Sequence, residues 1–282
     1  MLTLLGWVLL PLWIAVVLVG VGFILALWVF PGGSSRGPHD THTRWLVGVV
    51  RALVFECLAM AWLIYTIPWR YSRRRRCPRI DPGQTPVLLL AGFMESPATL
   101  ALLSRRLQKA LGRPVLALKP PPCARDISFQ ARLVCEQVLA VLSESGAQQV
   151  DLVGHSLGGI LARCLAEQFP ELAGRIRLVA TLGSPHLGSA PARIVPLRSV
   201  RQMARGSAFL ERLNALSPPA GVRYLGICSL HDNLVMPWNC ALSPRGDNFI
   251  LQNIGHVSLL LSAQVAEILR RELSNASPAA TS

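Results

Sequence analysis

The hydrophobic and polar positions divide the chain into two parts with different patterns. Residues 2–30 contain no charged side chain, and a second apolar run extends from Trp45 to Trp69. Beyond Asp81, short apolar runs alternate with amphipathic stretches. Apolar runs of the first kind are typical of membrane segments, whereas the alternation is typical of strands and helices in a globular domain.

The two apolar runs predict a membrane anchor over residues 1–69, with helices over residues 2–30 and 46–68. The first run exceeds the apolar region of a signal peptide and has no basic residue before it, so we expect an uncleaved anchor rather than a cleaved signal. The second run carries Arg51 and Glu56, whose charges are costly at mid-bilayer but tolerated near a helix end or against a partner helix. We interpret it as a second span that forms a hairpin with the first. An amphipathic segment lying in the membrane interface is the alternative.

The basic residues indicate a membrane partner and an orientation. Lys and Arg outnumber Asp and Glu by 28 to 15, and the densest basic block, RYSRRRRCPR, runs from Arg70 to Arg79. This block opens a basic linker predicted over residues 70–85. Juxtamembrane basic clusters normally stay cytoplasmic and attract anionic headgroups, so we expect the following domain on the cytoplasmic side. The sequence has no motif for base or phosphate-backbone recognition, so nucleic acid is not an expected partner.

The cysteines and histidines do not indicate a metal or cofactor site. Seven cysteines are scattered without CxxC spacing, which is typical of free thiols in a reducing compartment. His39 and His42 form a pair without a third ligand, and we interpret them as solvated loop residues. The sequence carries no dinucleotide or P-loop fingerprint. We therefore expect no metal and no cofactor.

Residues 86–273 predict a mostly parallel sheet with helices on both faces. The predicted strands are PVLLLAGF, PVLALK, QQVDLVGHS, IRLVATLGS, VRYLGICSL and NFILQNIGH. Helices are predicted near Ala98 to Leu111, from Ile127 to Ser145, and through VSLLLSAQVAEILRREL. Residues 186–220 break the alternation and predict a lid-like insertion. Residues 274–282 predict a disordered tail.

The sequence GHSLGG fits the pattern G-x-S-x-G between a predicted strand and a predicted helix. A nucleophile elbow requires that context, because its strained turn presents the serine, here Ser156, above the strand ends. Gly154 and Gly158 are small enough for the tight turn and for close packing of strand and helix. The alternative is a serine that merely caps the start of a helix.

A serine nucleophile needs a positioned base, and the base needs an orienting carboxylate. His256 follows the last predicted strand, and Asp232 follows the strand before it. Sites in such sheets gather at the carboxyl ends of the strands, so both residues are expected beside Ser156. Asp247 and Asp151 are rival acids, but both lie where a strand begins and are expected at the opposite edge of the sheet.

Acyl transfer also requires backbone donors aimed at the developing oxyanion. We expect one from the N–H of Leu157, directly after the nucleophile, and one from the loop LAGFMES after the first strand. In that loop Gly92 permits a close approach and Phe93 presents its N–H, with Met94 as the alternative donor. An ordinary strand–helix turn is the other interpretation of this loop.

From Pro86 onward the chain resembles the α/β-hydrolase superfamily, and within it bacterial triacylglycerol lipases and lipase-type esterases. The matching sequences are LLLAGF, VDLVGHSLGG, TLGSPHLGS, HDNLVMP and NIGHVSLL. The chain order serine, aspartate, histidine is also that of the superfamily. The resemblance implies an α/β-hydrolase fold. We expect the substrate pocket to be lined by Gly92, His155, His186 and Leu187.

Three features separate this chain from the lipase pattern. Ala91 precedes Gly92 where the lipase-type motif usually has a His, so the loop lacks that source of hydrogen-bond support. Val257 and Ser258 follow His256 where many calcium-binding lipases carry an Asp, so no calcium site is expected. The relatives are often secreted, whereas this chain is expected to be anchored in a bacterial inner membrane.

For His186, support of its own loop is the alternative to lining the pocket.

The sequence therefore predicts a membrane-anchored serine hydrolase that cleaves ester bonds of lipid-like substrates through an acyl-enzyme. An acyltransferase or a thioesterase using the same three residues is the alternative within this chemistry. A non-catalytic membrane scaffold on the same fold is the alternative outside it, which the intact trio disfavours.

Overall fold

The computed structural model describes residues 10, 13–21, 42–71, 80–81 and 83–275. The described residues contain the strands β1 Val87–Leu90, β2 Val115–Ala117, β3 Val150–His155, β4 Ile176–Leu182, β5 Arg223–Ser229 and β6 Asp247–Leu251. All of them pair in parallel in one sheet, in the order β2-β1-β3-β4-β5-β6. This confirms the predicted mostly parallel sheet.

The strand order reverses between β1 and β3, since the chain places β2 on one side of β1 and all later strands on the other. Loops that leave the carboxyl ends of strands at such a point diverge and open a crevice. Leu90, the last residue of β1, is in register with Gly154 of β3. The loop after β1 and the turn after β3 therefore leave the sheet side by side, at the edge where the candidate site was expected.

Helices cover both faces of the sheet. From residue 42 onward the described α-helices are α1 His42–Thr66, α2 Ala101–Leu111, α3 Ile127–Ser145, α4 Leu157–Gln168, α5 Arg198–Gln202, α6 Ala208–Ala215 and α7 Ala263–Asn275. Leu88 and Leu90 pack with α3 and α4 on one face, while Val87 and Leu89 pack with α2 and α7 on the other. A strand that is buried on both faces needs an uninterrupted apolar run, which β1 has.

The observed bounds of α3 are those predicted. The side chain of Asp126 accepts a hydrogen bond from the Phe129 N–H at 2.9 Å and caps its start, and Gly146, with φ of 73°, ends it. Helix α2, expected from near Ala98, begins instead at Ala101. The preceding residues form a turn in which Ser96 and Thr99 bond each other's backbone amides.

The predicted last helix is two elements. A 3-10 helix, Val257–Leu261, precedes Ser262, and α7 begins after it. The predicted lid-like insertion contains a 3-10 helix, Pro191–Arg193, and the short helices α5 and α6. The domain bounds proposed from the sequence remain predictions.

Helix α1 packs on the parallel-sheet domain. Ala52, Ala59 and Leu63 are buried in a cluster that also includes Val257 of the domain. Residues 13–21 are helical and add Ala15 to the same cluster. The opposite side of α1 exposes large apolar residues, namely Val47, Val50, Val54, Phe55, Leu58, Trp62 and Tyr65.

Within the described residues, one helical stretch, Val47–Arg70, is long and apolar enough to cross a membrane. Length and composition alone do not separate a span from an apolar core helix or a signal sequence. Most of the first apolar run, most of the basic block and most of the predicted tail lie outside the described residues. The predicted second span therefore corresponds to a helix, and its place in a membrane remains a prediction.

Candidate active site

Ser156 lies on the turn between β3 and α4 in a strained backbone conformation, with φ of 52° and ψ of −121°. A positive φ is uncommon for a residue with a Cβ, and such strain persists only where the surroundings enforce it. The Ser156 N–H donates to the Leu182 carbonyl oxygen of the next strand at 2.8 Å. The serine side chain makes no capping hydrogen bond to α4, so this turn is not a simple helix cap.

Close packing under the turn explains the glycine that follows the nucleophile by two residues. A Cβ added to Gly158 would lie 2.2 Å from the Leu90 carbonyl oxygen of β1, closer than any side chain can approach. Gly158 therefore lets α4 start directly against the sheet, which holds Ser156 above the strand ends.

Asp232 and His256 form a buried hydrogen-bonded pair on the loops after β5 and β6. The Nδ1 atom of His256 lies 2.8 Å from Oδ2 of Asp232. The other carboxylate oxygen, Oδ1, accepts hydrogen bonds from the amides of Leu234 at 2.9 Å and Val235 at 2.7 Å. The aspartate is therefore fixed by its own loop, and it fixes the imidazole so that Nε2 is the ring nitrogen left for a reaction.

The pKa of His256 is raised above its ordinary value of 6.5. Burial is the largest influence and alone would lower it, but the charge and hydrogen bond of Asp232, with the charges of Glu56 and Glu95, outweigh burial together. The site therefore stabilises the imidazolium that forms when a histidine accepts a proton.

Buried contacts connect this pair to the serine turn. The ring of His155, which immediately precedes the serine, has its centroid 4.8 Å from that of His256. Its Nε2 lies 3.0 Å from the His256 carbonyl oxygen and donates to it. The structure thus brings the turn of Ser156 and the Asp232–His256 pair to the same edge of the sheet.

The loop after β1 lies directly over the nucleophile. A Cβ on Gly92 would lie 3.0 Å from the Cβ of Ser156. Leu157 is the first residue of α4, so its N–H has no acceptor within the helix. Met94 has a positive φ of 61°, which marks a tight turn at the alternative donor. The expected oxyanion donors of Phe93 and Leu157 thus belong to adjacent segments.

Glu95 supports this loop and was missed by sequence reasoning. Its buried carboxylate accepts from the Gly92 N–H with one oxygen and pairs with Nδ1 of His155 with the other. The Arg70 guanidinium donates to the Glu95 carbonyl oxygen. These contacts provide the support expected to be lacking because of Ala91. The only sequence signal for this role was the position of a carboxylate three residues after Gly92.

The other predicted pocket residues occupy different environments. His155 and His186 are buried, and His186 contacts Arg163 and Thr181 rather than the surface of a cleft. Burial, together with the charge of Arg163, lowers the pKa of His186 well below its ordinary value. Leu187 is half exposed. The position of His186 favours the alternative in which it supports its own loop.

The rival acids lie away from this edge. Asp151, at the start of β3, is buried and paired with Arg113 at 2.7 Å and with Arg177. Asp247 is exposed at the first position of β6. Both positions are at the amino ends of strands, so neither carboxylate can reach the imidazole.

The sequence also matches known proteins. Residues 85–210 match a family model described as the α/β-hydrolase fold. A triacylglycerol lipase of Pseudarthrobacter phenanthrenivorans is 44% identical over 64 residues, which make up 21% of this chain and 19% of that lipase. The alignment thus spans less than a fifth of the relative's length.

Solved structures of low sequence identity share the fold. Aspergillus fumigatus lipase B matches with a TM-score of 0.63 at 15% identity, over 76% of this chain and 58% of that one. Mature Bacillus licheniformis lipase BlEst2 matches with a TM-score of 0.61 at 15% identity, over 71% and 96% of the two chains. The chain is thus similar to the α/β-hydrolase fold family over residues 85–210, and it shares its fold with these two lipases.

Proposed function

We propose that the protein is a membrane-associated serine hydrolase that cleaves carboxylic ester bonds of lipid-like substrates. The observation that carries this proposal is the strained Ser156, which shares one sheet edge with the buried Asp232–His256 pair. The similarity to a triacylglycerol lipase supports an ester as the substrate.

In the proposed reaction, the Ser156 hydroxyl attacks the acyl carbon while its proton passes to Nε2 of His256. The amides of Phe93 and Leu157 stabilise the tetrahedral oxyanion. The ester C–O bond then breaks, and His256 returns the proton to the leaving alcohol. Water attacks the acyl-enzyme with the same proton transfers, which releases the carboxylic acid and restores the serine. Asp232 orients the imidazole and stabilises its charged form.

The position of α1 supports a substrate that arrives from a bilayer. Its apolar side is exposed, while its buried side contacts the loops of the active-site edge. The Thr66 hydroxyl lies 2.8 Å from that of Thr99, just after the oxyanion loop. A lipid held at the exposed side of α1 would therefore lie close to the nucleophile. We further propose, from the arginine-rich block, that the catalytic domain is cytoplasmic.

Labelling with a fluorophosphonate tests the reaction, using the full chain purified in detergent. We expect wild type to be labelled and to hydrolyse a p-nitrophenyl ester, and Ser156→Ala to lose both by about 10³-fold or more. Ser143→Ala, at an exposed serine of α3, is the matched control and should retain both. A folded wild-type protein that is neither labelled nor active refutes the proposal.

A further inference from the structure

Glu56 is a fully buried carboxylate in the middle of the apolar helix α1. Its two oxygens accept hydrogen bonds from consecutive backbone amides of the domain. Oε1 accepts from the Val257 N–H at 2.8 Å, and Oε2 accepts from the Ser258 N–H at 2.9 Å. These amides directly follow His256 and open the 3-10 helix Val257–Leu261.

The fit between the two segments is close. A Cβ on Gly255 would lie 2.4 Å from Oε2 of Glu56, so only a glycine leaves room for the carboxylate beside this loop. Amides at the start of a helix have no acceptor within the helix, and a buried amide without an acceptor is unfavourable. Glu56 supplies both acceptors, and these hydrogen bonds offset part of the cost of burying a carboxylate in an apolar helix.

Hydrogen bonds from several segments fix the backbone around His256. Its N–H donates to the side chain of Asn233 at 3.2 Å, and its carbonyl oxygen accepts from His155 at 3.0 Å. The Gly255 N–H donates to the Ser258 hydroxyl at 2.8 Å. These partners belong to the sheet domain, whereas Glu56 comes from α1, about 200 residues earlier in the chain. The Glu56 carboxylate thus connects α1 to the loop that carries His256.

We propose that Glu56 is a positioning residue that holds the His256 loop, so that hydrolysis depends on the docking of α1. The proposal rests on the serine-hydrolase function proposed above. Glu56 touches no reacting atom, and its effect is exerted through the backbone that carries the imidazole. A segment whose composition indicates only an anchor would then be part of the catalytic apparatus.

Glu56→Gln removes one of the two acceptors while nearly preserving shape. The NH₂ group of the substituted side chain would face one of the two backbone N–H groups. Because both are hydrogen-bond donors, they form no hydrogen bond, and we expect the loop to shift. Because small displacements of a catalytic group lower turnover strongly, we expect kcat to fall by about 10- to 100-fold. The KM for a short, water-soluble ester should change less than twofold, since Glu56 contacts no substrate.

The experiment measures kcat and KM of the full chain in detergent with p-nitrophenyl butyrate. Glu56→Asp, which keeps two acceptor oxygens on a shorter side chain, should recover part of the loss seen in Glu56→Gln. Glu171→Gln removes an exposed carboxylate and is the matched control, with wild-type kcat expected. A folded Glu56→Gln protein with kcat within twofold of wild type overturns the proposal, and so does a loss confined to KM.

A second variant approaches the contact from the domain side if Glu56→Gln does not fold. Gly255→Ala keeps the carboxylate but places a methyl group against it, and we expect a similar fall in kcat. Wild-type kcat in Gly255→Ala contradicts the proposal.

A wild type without Ser156-dependent hydrolysis refutes instead the proposed function. If the wild type is inactive, amide hydrogen exchange at Val257 and Ser258 still tests the contact. We expect faster exchange in Glu56→Gln than in wild type, and unchanged exchange overturns the proposed contact.

Discussion

At the scale of single residues, the charge state of His256 sets the pH at which the proposed base can work. The groups that face its ring or loop are Asp232, Glu56, Glu95 and His155. A base must be neutral to accept the serine proton, so a raised pKa moves the rising limb of kcat/KM to a pH above about 6.5. The same raised pKa favours the folded state below the unfolded-state pKa of the histidine, and this contribution is lost as pH rises through the folded-state pKa.

Asp232→Asn tests this balance. Without the carboxylate, burial dominates and the pKa of His256 falls, so we expect the rising limb of kcat/KM to move to lower pH. We also expect kcat to fall by about 10⁴-fold, because an amide at this position favours the wrong imidazole tautomer. The pH dependence of ester hydrolysis measures both effects. A variant with an unshifted limb and wild-type kcat would assign the acid role elsewhere.

The residues with assigned chemistry differ in how far the sequence could predict them. Ser156, Asp232 and His256 each follow an apolar strand, and the carboxyl ends of parallel strands share one edge, so their proximity could be predicted. Glu95 and Glu56 could not be assigned in this way. Glu95 pairs with a histidine 60 residues later, and Glu56 bonds backbone amides about 200 residues later, so no short motif records these contacts.

At the scale of elements, a buried cluster joins α4 to the insertion. Arg163 of α4 is fully buried, and its guanidinium donates to Glu167 at 3.0 Å and to Asn214 of α6 at 2.9 Å. Asn214 in turn donates to the His186 carbonyl oxygen at 2.9 Å. The cluster therefore fixes α6 relative to the loop after β4.

Arg163→Met should destabilise the fold because it leaves the buried Glu167 without its main partner. We expect a loss of about 3 kcal/mol, the lower end of the range for broken buried pairs, since Arg245 remains 3.7 Å from Glu167. Urea unfolding in detergent measures the change. The control Arg270→Met breaks the exposed pair with Glu267 and should leave the midpoint unchanged. Equal effects of the two substitutions would contradict the role given to the buried cluster.

The elements themselves were predictable to different degrees. Helix α3 has a capping aspartate and a terminal glycine, so both of its ends are encoded locally. The start of α2 depends on side-chain hydrogen bonds in the preceding turn, which its apolar periodicity does not reveal. The docking of α1 was not predictable, because an apolar run with one carboxylate has the same pattern beside a protein domain as beside a partner helix.

At the scale of the whole molecule, α1 presents two different sides. Its contacts with the domain extend from Gly48, next to Asn253, to the end of the helix at Thr66. The other side exposes residues such as Val54 and Leu58. A helix in contact with the catalytic edge over this length places the proposed active site beside any lipid that covers its exposed side.

The double substitution Val54→Asp and Leu58→Asp tests that arrangement in the full chain. Charged residues are costly in hydrocarbon, so the exposed side of α1 should leave the bilayer, and hydrolysis of a long-chain ester in anionic vesicles should fall by about tenfold or more. Hydrolysis of p-nitrophenyl butyrate in detergent should stay at the wild-type rate, because both side chains lie on the exposed side of α1. Val54→Ala with Leu58→Ala keeps the surface apolar and is the matched control. Sedimentation with vesicles shows whether the Asp variant still binds the membrane, and so distinguishes loss of membrane binding from a changed position of the active site at the membrane surface. Equal rates of hydrolysis of the vesicle ester by wild type and the Asp variant would contradict delivery of substrate from the bilayer.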